Sequence, residues 1–160
     1  MPEAVIVATA RSPIGRANKG SLKDMRPDDM SAQIIRALMA KVPQVKASDV
    51  EDLMMGVGQP AGEAGFNVAR MAALLAGLDN VPGVTVNRYC SSSLQTIRMA
   101  AHAIRAGEGD CFIAAGVETV SRYASGASDV APTPIFKEPG ARTRTRSEGG
   151  HGPWTPPVGL

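Results

Sequence analysis

The sequence predicts an α/β domain: a mostly parallel sheet with helices on its faces. Three observations carry that prediction. Short apolar runs at residues 4–8, 53–57, 84–86 and 112–117 are continuous rather than alternating, the pattern of strands covered on both sides. The stretches between them place apolar residues at helical spacing, and strand–helix alternation of this kind builds parallel sheets. Aromatic residues make up only 4% of the chain while alanine, valine, leucine and methionine are plentiful, which suits close helix-on-sheet packing.

Taken in order, residues 4–8 predict the first strand. A long connection follows, with Pro13, Gly15, Gly20 and Pro27 breaking regularity and Arg11, Arg16, Lys19, Lys23 and Arg26 giving it positive charge. Such charge reads first as a solvated loop, with a phosphate-bearing ligand as the alternative. Asp28 or Asp29 is the expected N-cap of a helix carrying Met30, Ile34, Ile35, Leu38, Met39 and Val42 on one face and stopped at Pro43. Ser48-Asp49-Val50-Glu51 has the form of a capping box and predicts one helical turn. The second strand, residues 53–57, runs into a glycine-rich connection whose spacing matches neither of the two common phosphate-binding loops.

Asn67 is the expected cap of the next helix, with Val68, Met71, Ala72 and Leu75 as its buried face and Gly77 as its end. Pro82-Gly83 turns the chain into a third strand that runs straight to Cys90. After it, Leu94, Ile97, Ala101 and Ile104 share one helical face and Gln95, Arg98, His102 and Arg105 another. Gly107-Glu108-Gly109 closes that helix before the last strand. From Ser125 on, six prolines and the run Arg142-Thr143-Arg144-Thr145-Arg146 change the texture, so the expected organisation is a first domain over 1–124 and a separate loop-rich segment over 125–160.

Bulk properties exclude several classes. A net charge of +2 and the absence of a basic stripe interleaved with aromatics argue against nucleic acid as a partner. Cys90 and Cys111 are too few for a disulfide scaffold and fit a reducing, cytoplasmic location. With His102 and His151 in dissimilar contexts, no metal site is expected. The start of the chain lacks the basic region and length of a signal peptide, and no stretch is long enough for a membrane span.

Cys90 is the candidate nucleophile. It sits where a buried strand gives way to a helix, and the three serines after it suit a helix start better than a helix interior. A helix start presents unpaired N–H groups and partial positive charge, which favour the thiolate, the form that attacks carbonyl carbon. The competing reading is a small buried apolar side chain, the commonest fate of a free cysteine. His102 lies twelve positions along on the polar side, roughly 18 Å away along one helix, too far to serve as the base.

Asn87-Arg88-Tyr89-Cys90-Ser91-Ser92-Ser93-Leu94-Gln95 resembles the acyl-enzyme cysteine motif of the thiolases. Three other segments fall in the same family's order: Ala8-Thr9-Ala10-Arg11-Ser12-Pro13-Ile14-Gly15, Asn67-Val68-Ala69-Arg70 and Gly116-Val117-Glu118-Thr119-Val120-Ser121. The resemblance implies a thiolase-like N-terminal half with the start of a loop domain. The implied activity is thiolytic cleavage of 3-ketoacyl-CoA, or its reversal, through an acyl thioester on Cys90 with coenzyme A as co-substrate. It further implies a homodimer or tetramer. Ser93 departs from the glycine many relatives carry and is expected to narrow the space beside the nucleophile. The histidine of a Gly-His-Pro motif and the second cysteine of a Cys-x-Gly-Gly-Gly motif are absent from this sequence. The chain alone is therefore expected to be inactive and to work with the remainder of a thiolase or a second subunit. The alternative is a non-catalytic α/β module that binds acyl-CoA or a protein partner, and a carrier-dependent condensing enzyme is a third reading.

Overall fold

The computed structural model describes residues 2–122. The chain divides into two units, Met1–Ala124 and Ser125–Leu160, and the described residues all lie in the first. The arginine run, His151, Trp154 and the expected loop segment lie outside them.

The elements are α1 (Pro27–Lys41), β1 (Asp52–Gly56), α2 (Val68–Ala76), β2 (Gly83–Val86), α3 (Ser92–Ala106) and β3 (Phe112–Gly116), with single 3-10 turns at Ala47–Asp49, Gly62–Ala64 and Val120–Arg122. The strands form one parallel sheet in the order β2-β1-β3, so the connection through α3 crosses over β1. Being central, β1 buries Leu53, Met54 and Met55 together, as its unbroken apolar sequence requires. Leu53 and Met55 join a core with Ile35 of α1 and Val68, Ala69, Ala72 and Ala73 of α2. Met54 alternates to the other face, and α3 packs on β1 and β3.

Local chemistry fixes the boundaries. α1 starts at Pro27, not at a cap formed by Asp28 or Asp29, because proline suits the first helical position, where its missing N–H is not needed. Both aspartates then fall in the first turn, where carboxylates favour the helix dipole. The Asp49 carboxylate accepts from the Lys46 N–H at 2.8 Å, so the turn there is capped from its third position and not by Ser48. Asn67 caps α2 as expected: its backbone is left-handed, with φ of 50°, and its side chain accepts from the Arg70 N–H. Gly77, with φ of 84°, ends that helix.

Three further expectations are corrected. Residues 4–8 take no place in the sheet, and Val5, Ile6 and Val7 are 67%, 72% and 73% exposed. β3 pairs directly with β1, in the register Leu53 to Ile113, and so fills the slot beside the central strand. The apolar run instead borders an open cleft of about 800 Å³ lined by α1, α3 and β3, held by a bond from Lys41 Nζ to the Thr9 carbonyl at 2.7 Å. On α2, Met71 and Leu75 are exposed, and the buried face is Val68, Ala69, Ala72 and Ala73. On α3, the buried face is Ser92, Thr96, Ala100 and Ala103, whereas Leu94 and Ile97 are exposed.

The last two corrections share a cause: the helices approach the sheet so closely that only small residues fit the contact. A Cβ placed on Gly56, at the end of β1, would collide with the Ser92 carbonyl carbon and come within 2.5 Å of the Ser93 nitrogen. One on Gly116, at the end of β3, would collide with Ser93 Oγ and lie 2.9 Å from Ser93 Cβ. The first turn of α3 therefore rests on bare strand backbone, and the Ser93 hydroxymethyl occupies the seam between α3 and β3.

Candidate active site

The carboxyl ends of the three parallel strands converge where α3 begins, the edge at which open α/β sheets place their sites. Cys90 lies there, four residues beyond β2 and one before Ser91, the N-cap of α3. Its thiol is exposed among the described residues.

The turn that presents Cys90 is built by its neighbours. Tyr89 has φ of 47°, a left-handed conformation that a bulky residue adopts only when its surroundings hold it there. The Asn87 side chain accepts from the Tyr89 N–H at 2.7 Å. Ser92, almost fully buried, uses one hydroxyl twice: Oγ accepts from the Arg88 N–H at 2.8 Å and donates to the Tyr89 carbonyl at 2.6 Å. Thr96, one turn on, shares its hydroxyl proton between the Ser93 carbonyl at 2.7 Å and the Ala115 carbonyl at 3.1 Å, which ties α3 to β3. Of the three serines after Cys90, Ser92 thus does more than start a helix: its hydroxyl holds the bend that carries the thiol.

β2 is held from its other side by the Asn67 motif. The Asn67 amide donates to the Gly83 carbonyl at 2.9 Å and its oxygen accepts from the Thr85 hydroxyl at 3.0 Å. Arg70 donates to the carbonyls of Val81, at 2.6 Å, and Asp79, at 2.9 Å. His102 is exposed on α3. Among the described residues, no group of three or more His, Cys, Asp or Glu side chains stands ready to hold a metal ion. No helix among them is long and apolar enough to cross a membrane.

A charge network that local spacing did not reveal ties the loops beyond β1 and β3 to α1. Arg26 pairs with both oxygens of Asp28, at 3.1 and 2.8 Å, and reaches Glu63 at 2.8 Å. Arg122 grips both oxygens of Glu63 and donates to the Asp24 carbonyl at 3.1 Å. Arg26, read from sequence as one more loop cation, is therefore engaged. The Arg122 hydrogen bond, aided by the charges of Arg122 and Arg26, holds the Glu63 carboxyl below the usual carboxylate range against the opposing effect of burial. For Asp28, burial pushes upward, but the Arg26 hydrogen bond and charge, with backbone N–H bonds, bring the net shift down.

Both folded-state values are lowered, so the unfolded chain binds more protons on acidification. The network's contribution is present at neutral pH and fades as pH falls below the ordinary carboxylate range. Glu63→Gln is accordingly expected to lower Tm at pH 7 and to converge with the parent in strongly acidic solution. Thermal melts across that range check the convergence; a constant offset would contradict it.

An exposed thiol thus stands on a held turn at the carboxyl edge of a parallel α/β sheet, just before the start of a helix. The family model described as "Thiolase, N-terminal domain" matches residues 4–145, and the chain belongs to the thiolase family. It is similar to the 3-ketoacyl-CoA thiolase of Shewanella frigidimarina (strain NCIMB 400), with 46% identity over 119 residues, covering 74% of this chain and 31% of that protein. It is also similar to the 3-oxoadipyl-CoA/3-oxo-5,6-dehydrosuberyl-CoA thiolase of Escherichia coli (strain K12), with 47% identity over 123 residues, covering 76% of this chain and 30% of that protein. The chain spans about a third of the length of the curated relatives it matches.

Proposed function

We propose that this chain is the nucleophile-bearing portion of an acyltransferase that cleaves 3-ketoacyl-CoA, or runs the reverse condensation, through an acyl thioester on Cys90. The observation that carries the reading is the exposure of Cys90 on a turn held by Asn87 and Ser92. The Cys90 thiolate adds to the keto carbonyl and the bond between the α and β carbons breaks. The acetyl-CoA enolate leaves and takes up a proton, and the acyl group remains on sulfur. Coenzyme A, its thiol proton passing to a base, then displaces the acyl group from sulfur, giving the shortened acyl-CoA and the free Cys90 thiolate. Splitting one carbon–carbon scission into two acyl transfers is the advantage of covalent catalysis. The backbone N–H of Cys90 is proposed as a donor to the thioester oxyanion.

The base for the thiol and the acid–base group for the enolate carbon come, in this reading, from the remainder of a thiolase or from a second subunit. The face of α3 that carries Leu94, 67% exposed, and Ile97, 43% exposed, starts beside Cys90 and supports a partner there. A homodimer or tetramer and a reducing, cytoplasmic location complete the proposal; both cysteines are free thiols. The chain alone is expected to show no thiolytic turnover of acetoacetyl-CoA but to take one acetyl group on Cys90 from acetyl-CoA, read by intact mass and peptide mapping. Turnover by the isolated chain would overturn the incompleteness. Failure of Cys90 to accept an acetyl group, in the chain alone and with a thiolase C-terminal half added, would favour the non-catalytic acyl-CoA- or partner-binding module.

A further inference from the structure

We infer that Glu118 is a positioning residue for Cys90, acting through the backbone of Gly58 and Gln59, which its carboxylate holds against the turn at Tyr89. This deepens the reading of Cys90 as nucleophile and rests on it.

The ladder of the sheet extends one residue past each strand: the Val57 N–H donates to the Val86 carbonyl and the Val117 N–H to the Gly56 carbonyl, each at 3.0 Å. The next residues, Gly58 and Glu118, therefore leave the sheet side by side. Glu118 Oε1 accepts from the Gly58 N–H at 3.1 Å and lies 3.4 Å from the Gln59 nitrogen. The carboxylate and the turn both border Gly58, since a Cβ placed on it would lie 2.8 Å from Glu118 Oε2 and 3.4 Å from the Tyr89 carbonyl oxygen. The same carbonyl is the one Ser92 holds. Tyr89 is the left-handed residue immediately before Cys90.

Held strain of this sort persists only while its surroundings over-determine it. Ser92 secures the turn from the helix side, and Glu118 secures it through Gly58 from the strand side. A carboxylate or an amide can accept the Gly58 N–H bond, whereas a methyl group cannot. The role thus depends on an acceptor at this position.

The test is the pH profile of Cys90 alkylation by iodoacetamide in the 160-residue chain, read by peptide mass alongside Tm. Glu118→Ala is expected to slow Cys90 alkylation about tenfold at pH 7.5, with Glu118→Gln restoring most of the rate. Gly58→Ala supplies a second route: its methyl group meets the far end of a flexible side chain, so the chain folds while the carboxylate is displaced, and the same slowing is expected. Unchanged Cys90 alkylation in Gly58→Ala and in a folded Glu118→Ala variant would overturn the proposal. If instead the parent chain's Cys90 reacts no faster than a free model thiol, the nucleophile reading itself fails, and the two failures are separable.

Discussion

Gly56→Ala is expected to destabilise the domain by about 1–3 kcal/mol, a fall in Tm of about 5–15 °C, because the new methyl group meets backbone that cannot rotate away. Its nearest neighbours are the Ser92 carbonyl carbon and the Ser93 nitrogen, in the first turn of α3. Relief requires the helix start to lift from β1, and the Cys90 turn, tied to Ser92 by two hydrogen bonds, must move with it. Cys90 alkylation is expected to slow together with the loss of stability. The companion Gly116→Ala meets a side chain instead, Ser93 Oγ and Cβ, so Ser93→Gly is expected to rescue it and to leave Gly56→Ala unrescued. Chemical denaturation of the three single and two double variants measures that difference. Equal rescue of both would show that the seam is not backbone on backbone.

Alkylation with limiting iodoacetamide at pH 7.5 is expected to modify Cys90 in preference to Cys111 by about tenfold or more. Cys90 is exposed, whereas Cys111 is partly buried at the entry to β3. Burial pushes the Cys111 thiol up, and the negative charges of Asp49 and Glu51 push it further, so its thiolate is scarce at neutral pH. Cys90→Ser should remove the fast phase and Cys111→Ser should leave it intact, with acetyl transfer from acetyl-CoA following the same pattern. A fast phase that survives Cys90→Ser would remove the nucleophile assignment.

The α/β class and the position of Cys90 were legible because they depend on local chemistry. An unbroken apolar run marks a central strand such as β1, and serines after a strand mark a helix start. Asn67 and Gly77 were equally readable, one by its capping side chain and the other by its tolerance of positive φ. The buried faces of α2 and α3 were not, because periodicity ranks residues by hydrophobicity while a close approach selects them by size. Ala100 and Ala103 therefore took the contact that Ile97 and Ile104 promised. Residues 4–8 have the composition of a buried strand, but composition names no partner, and β3 holds the place beside β1. The Arg26, Asp28, Glu63 and Arg122 network joins residues up to 96 positions apart, as set by Arg26 and Arg122, which no local pattern encodes.

Where a helix rests on uncovered main chain there is no pliable layer to absorb a push. Side chains hop between rotamers and cushion a neighbour; peptide planes do not. The sulfur of Cys90 is thus mounted on a stiff platform shared by β1, β3 and α3. In the function proposed above, an arriving acyl group adjusts itself to that fixed point, so freedom to admit substrates of different length resides in whatever covers the thiol rather than in the segment that bears it.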